Sequence, residues 1–182
     1  MSEKQSDPRF YALRDAVVDD RAEAKRMIDA DPSCVHARNS IGETALHYLA
    51  VEDMLDAVEW LAACGADIDT RNDFGGTPLT EASQLGYLEM CRFLLRNGAD
   101  IFAKDMDGGN AVSAAASGDF AANSDTALLE MLIAAIGDTD INDMIDEDDI
   151  ESIVRNAHPN VVSVLQKHGL QHRTSTSSSD TH

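Results

Sequence analysis

An all-α solenoid of stacked helix pairs with short finger turns is the fold class this sequence predicts. Three observations predict it: a fixed 33-residue period, two runs of helically spaced apolar residues per period, and glycines at recurring turn positions. Residues 75–101, GGTPLTEASQLGYLEMCRFLLRNGADI, repeat the layout of residues 42–68, GETALHYLAVEDMLDAVEWLAACGADI. Stepping by the period aligns Arg38, Arg71 and Lys104; Asn39, Asn72 and Asp105; Gly42, Gly75 and Gly108; and Thr44, Thr77 and Asn110. Leu46, Leu79 and Val112 share a column further on, as do Leu49, Ala82 and Ala115.

The chain begins with a modified helix pair. Pro8 suits a first helical turn after Asp7 as N-cap, and Asp20 with Glu23 resembles a capping box ahead of AEAKRMIDA. Each full copy then carries a first helix of small apolar residues (Leu46, Leu49, Ala50) and a second with large ones. Val58, Trp60 and Leu61 in one copy, and Cys91, Phe93, Leu94 and Leu95 in the next, have that helical spacing. Small on one side and large on the other makes a wedge, and stacked wedges curve. Gly65 and Gly98 end second helices where a left-handed residue is wanted, and Gly42, Gly75 and Gly108 let the chain turn back. The third copy, DMDGGNAVSAAASG, lacks the Thr, and its second helix, about 126–136, follows an inserted DFAANSD; this copy is expected to be less rigid. A last pair is expected from DIESIVRNAHPNVVSVLQKHGL, with Ile150, Ile153, Val154, Val161, Val162, Val164 and Leu165 apolar and Gly169 as the stop.

A single domain over 1–170 is therefore expected, with repeats at about 9–38, 39–71, 72–104, 105–142 and 143–169. Residues 171–182, QHRTSTSSSDTH, have no apolar anchor and are expected to form a disordered tail. One helix pair cannot bury its own apolar face, whereas neighbours in register can, and the period is the length of one such unit.

On these residues the chain resembles the ankyrin repeat family, whose pattern runs Asp-x-x-Gly-x-Thr-Pro-Leu-His-x-Ala-Ala, a second helix, then Leu-Leu-x-x-Gly-Ala-Asp. NDFGGTPLTEAS and FLLRNGADI match best; NSIGETALHYLA keeps His47 and has Ala45 in place of Pro, and the third copy has lost Thr, Pro and His. The resemblance implies a protein-binding scaffold without a cofactor, in which His47 makes a hydrogen bond that braces the finger turn.

The bulk composition bounds the partners. Thirty-three acidic against 14 basic side chains give a formal charge of -19, which disfavours nucleic acid and anionic membranes and favours basic proteins. MSEKQSDPRF offers no apolar secretory segment and no long apolar run follows, so a soluble, cytoplasmic protein is expected. Cys34, Cys64 and Cys91 form no CxxC pair and are expected as reduced, partly buried thiols.

No enzyme is expected. None of the histidines stands beside a nucleophile in a recognisable motif, and DGGN is a repeat turn followed by no lysine, unlike a phosphate loop. His168 and His172 have i, i+4 spacing, but Gly169 ends the helix between them. DTDINDMIDEDD, residues 138–149, approaches a calcium loop, yet Asp143 stands where the turn needs Gly and Asp149 where a bidentate Glu belongs. A solvated acidic finger is the preferred account, with a calcium-responsive loop as the rival.

The family uses finger tips and the exposed face of the first helices for recognition. The matching residues are Arg38, Ser40, Ile41, Glu43, Val51 and Glu52 in the first full copy, Arg71, Asp73, Phe74, Gln84 and Leu85 in the second, and Lys104, Met106 and Asp107 in the third. Ile41, Phe74 and Met106 place one large apolar side chain on each tip, where a purely solvated turn would hold Gly, Asn or Asp. Either they are anchors for a partner or they fold onto the neighbouring finger and stabilise the array. Arg38, Arg71 and Lys104 form a basic ladder that either pairs with finger acids such as Asp69, Asp73, Asp105 and Asp107 or meets a carboxylate-rich partner. The functional expectation is a protein–protein interaction module of inhibitor or immunity type that sequesters a basic protein. The alternative is an adaptor whose concave face and tail hold different proteins. Self-association has no signature in the sequence.

Overall fold

In the computed structural model, residues 5–117 and 125–170 are described; the expected tail and nearly all of the inserted segment lie outside them. The described residues form ten α-helices and two short 3-10 turns. The helices are α1 Pro8–Asp19, α2 Arg21–Ala30, α3 Ala45–Val51, α4 Leu55–Ala63, α5 Pro78–Leu85, α6 Leu88–Arg96, α7 Ala111–Ser117, α8 Ala127–Ile136, α9 Glu147–Asn156 and α10 Pro159–Lys167. The 3-10 turns, Pro32–His36 and Ile141–Asp143, follow α2 and α8.

Side-chain caps set most of the helix starts. Asp7 accepts from Arg9 N ahead of Pro8, and Thr44 and Thr77 accept from the amides of His47 and Thr80. Asp20 accepts from the Ala22 and Glu23 amides, but the expected capping box is only half made. The Glu23 carboxylate is drawn to Arg26, and the Asp20 N–H closes α1 on Ala16 O. In the third copy Asn110 replaces the threonine and does its work: its Oδ1 accepts from Val112 N at 2.9 Å and Ser113 N at 3.2 Å. Its Nδ2 then reaches Met144 O at 2.5 Å, tying α7 to the next unit.

The first helices stack as one row, α1–α3–α5–α7–α9, and α4–α6–α8–α10 stack as a second; α2 packs on α1 and the first 3-10 turn. Small buried residues, Ala45 and Ala50, Ala82 and Ser83, then Ala111, Ala115 and Ala116, let the first row approach closely. Larger ones, Leu61, Met90, Leu94, Leu128 and Leu132, fill the space under the second row, each full burial stabilising by about 1.5–3 kcal/mol. One apolar core thus runs from Leu13 to Leu170. Val154, expected with the buried set of the last pair, is instead exposed.

The connections between units differ in a way that shapes the surface. From the glycine ending a second helix to the next cap is twelve positions for Gly65 to Thr77 and for Gly98 to Asn110, but nine for Gly137 to Asp146. The longer connections make the fingers at 71–77 and 104–110, matching the one at 38–44 that follows the first 3-10 turn; the short one makes the second 3-10 turn and buries Ile141, Met144 and Ile145.

Candidate protein-binding surface

Each finger is built on the same chemistry. The residue after the basic column closes it with a backbone bond: Asn39 N to Glu43 O at 2.9 Å, Asn72 N to Gly76 O at 3.0 Å, Asp105 N to Gly109 O at 2.8 Å. The side-chain oxygen of that same residue accepts two amides inside the loop, Ile41 and Glu43, Phe74 and Gly76, or Asp107 and Gly109. Fingers are then stitched together: Asp73 N donates to Ile41 O and Met106 N to Phe74 O, both at 2.9 Å.

This stitching reveals the role of the basic column. Arg38 Nη1 donates to Gly42 O and, at 2.6 Å, to Arg71 O of the next finger; Arg71 Nη1 donates to Gly75 O at 3.1 Å and to Lys104 O at 2.5 Å. Of the ladder expected either to pair with finger carboxylates or to meet a carboxylate-rich partner, Arg38 and Arg71 are spent on backbone carbonyls. Lys104, at the end of the column, makes no such bridge among the described residues.

The tips stand out from this frame. Ile41 is 43%, Phe74 63% and Met106 76% exposed. Their registers differ: Ile41 and Phe74 occupy the fourth finger position, which Asp107 fills in the third finger, whereas Met106 shares the position of Ser40 and Asp73. Ser40, Arg71, Asp73, Lys104 and Asp107 are exposed beside them, with Arg38 half-buried. At the ends of α3 and α5, Glu52, Gln84 and Leu85 are exposed and Val51 half-buried.

Glu43 departs from the expected surface set, being 8% exposed with Asn39 Nδ2 donating to its Oε2 at 2.6 Å. Burial holds its carboxyl above the usual carboxylate range, the Asn39 amide opposes that, and Glu81 and Glu52 add to the rise. It braces the finger root instead of presenting charge.

One cluster escaped the sequence reading. The Arg14 guanidinium lies 5.2 Å from the ring centres of both Tyr11 and Tyr48 and 5.9 Å from Phe10, and it pairs with Asp15 at 2.6 Å. Tyr11 is exposed, so the cluster lends the first row an aromatic end between α1 and α3. The i, i+3 step from Tyr11 to Arg14 was the available signal.

His47 is fully buried, and neither ring nitrogen has a hydrogen-bond partner at good geometry. The resemblance implied a bracing bond; here the Thr70 backbone lies close enough only to offset part of the effect of burial. Burial first, then the positive charge of Arg38, push the imidazole down to about 4. The unfolded chain therefore takes up the proton first, so stability is full above about pH 6.5 and falls as the pH drops toward 4. We expect wild type to lose roughly 1 kcal/mol more than His47→Leu over the first pH unit below the unfolded value. Urea unfolding at a series of pH values measures this; parallel pH profiles would contradict it.

Other residues weighed for chemistry hold structural places, and of the His168/His172 pair His172 lies outside the described residues. Asp140 caps the 3-10 turn and Asp146 caps α9, so residues 138–149 serve as a helix connection. No group of three or more His, Cys, Asp or Glu among the described residues is placed to hold a metal ion. Cys91 is buried against Ser83 Oγ at 3.5 Å, its thiol pushed up to about 11 by burial, and all three cysteines are free. No described helix is long and apolar enough to cross a membrane.

Paired helices in two stacked rows, joined by hydrogen-bonded fingers, define a repeat scaffold for protein–protein interaction. A family model described as ankyrin repeats, in 3 copies, matches residues 13–105, and the chain belongs to that family. No curated protein matches it. Ankyrin repeat proteins are typically non-enzymatic interaction modules.

Proposed function

We propose that this chain is a cytoplasmic, non-enzymatic binder of inhibitor or immunity type, whose finger tips and first-helix face cover a basic protein. The observation carrying this reading is the row of exposed Ile41, Phe74 and Met106 on fingers whose backbones are already locked by hydrogen bonds. Large apolar side chains on a rigid frame lose little entropy on binding, and an acidic surround favours a cationic partner. The -19 charge accelerates encounter with such a partner, and the apolar tips hold it once docked. The proposed domain boundaries remain 1–170, with the adaptor alternative resting on residues 171–182.

Phe74 is the test residue because it is exposed and its side chain carries none of the finger's internal bonds. Phe74→Asp is expected to weaken capture of a basic protein from host lysate by about 30-fold, roughly 2 kcal/mol. The same partners at unchanged yield with both proteins would overturn the tip site. Deleting 171–182 should leave the affinity intact; loss of one of two captured proteins would favour the adaptor.

A further inference from the structure

We propose that the outer edge of the third finger is an open docking edge, which takes a basic, extended segment of the protein partner as a fourth finger. This deepens the proposed function and rests on its reading of the partner as basic.

The edge is defined by a ladder that stops. In each step the third residue of one finger donates its N–H to the fourth residue's carbonyl in the finger before, as Asp73 does to Ile41 and Met106 to Phe74. The next acceptor in register is Asp107 O, and among the described residues nothing donates to it. The arginine bridges stop at the same place, where the column carries Lys104 and no onward bridge is made among the described residues. Space agrees with bonding. A Cβ on Gly42 would meet Asp73 N at 2.9 Å, and one on Gly75 would meet Met106 N at 3.0 Å; among the described residues, one on Gly108 would meet only Asp146 Oδ2, at 3.9 Å. Two glycines are covered by the next finger and the third is not, because the connection after α8 is too short to supply one.

Charge selects the occupant. Asp107 is exposed and Asp146 borders the open space. After burial, Asp146, Asp105 and Asp148 hold the Asp149 carboxyl above its usual range, against a hydrogen bond from Ser113. A segment with a free N–H at its turn and Arg or Lys beside it satisfies both the carbonyl and the carboxylates, in the manner of strand addition to an open edge. A second copy of this chain would bring -19 to -19, which disfavours it.

The probe is a labelled cyclic peptide, Arg-Asn-Arg-Ala-Gly-Gly-Thr, patterned on Arg71–Thr77 with Arg in place of Asp73 and Ala in place of Phe74, titrated against the full chain by fluorescence anisotropy at low salt. N-methylation of the second arginine removes the donor without changing charge, and should weaken binding about ten-fold. Asp107→Lys and Asp146→Asn, the latter retaining a side-chain oxygen to cap α9, should each weaken it several-fold. Glu59→Gln, an exposed change on α4 away from the fingers, should leave it unchanged. Equal affinity of methylated and parent peptides would overturn the edge, as would absence of peptide binding or indifference to both aspartate variants. Concentration-dependent dimerisation that the peptide does not displace would assign the edge to a second copy. Host-protein capture that is lost with Phe74→Asp but indifferent to Asp107→Lys would leave the tip reading standing and this edge refuted.

Discussion

Gly75→Val is expected to destabilise the chain by about 4 kcal/mol, a large part of a domain's total stability. Gly75 sits at φ +82°, a region a β-branched side chain adopts only with strain of about 1–3 kcal/mol. Its Cβ would also come within 3.0 Å of Met106 N and 3.1 Å of Asp105 Cα, backbone atoms held by the Met106 N to Phe74 O bond. Relief requires the second and third fingers to part, adding about 1–3 kcal/mol. Gly98 has a similar φ of +90°, yet among the described residues nothing lies within 4 Å of a Cβ there. Gly98→Ala should therefore cost only about 1 kcal/mol, the conformational part alone. Denaturant unfolding of both variants separates the two causes; equal losses would mean that finger stacking contributes nothing.

The second large effect is expected at Asn110. Its side chain caps α7 through the Val112 and Ser113 amides and donates to Met144 O inside the core. Asn110→Ala removes the cap, about 1 kcal/mol, and leaves a buried carbonyl unpaired, about 1–3 kcal/mol, so roughly 3 kcal/mol in all. In a solenoid each unit is stabilised by its neighbours, so the loss should fall on one side of the cut. Hydrogen exchange should rise in α9 and α10 while α3 to α6 keep their protection. A uniform rise along the chain would show that Asn110 is not the tie between units.

Much of the scaffold was legible because repetition multiplies weak signals. Threonine caps, glycine stops and alternating small and large apolar runs recur in register, so each unit supports the reading of the next. The caps at Thr44 and Thr77 and the left-handed turns at Gly42, Gly65, Gly75 and Gly98 are where the sequence places them. The surface was less legible because its determinants are not side-chain types. Arg38 and Arg71 look like half of an ion-pair network, but their acceptors are carbonyls, which every residue carries. Glu43 looks exposed by type and is buried because one amide, Asn39, meets it at the finger root. Met106 looks equivalent to Phe74 because both are apolar, yet counting from the basic column places it one position earlier. The Tyr11–Arg14–Tyr48 cluster joins helices from different units, outside any single repeat's pattern. The missing fourth finger was countable from the spacing of Gly137 and Asp146.

The fingers, and not the backs of the second helices, are expected to meet the partner. Hydrogen–deuterium exchange of the chain alone and in its purified complex tests this directly. The account predicts added protection at 38–44, 71–77 and 104–110 and along α3 and α5, with α4 and α6 unchanged. Protection confined to α4, α6 and α8, with the fingers exchanging as in the free chain, would contradict it.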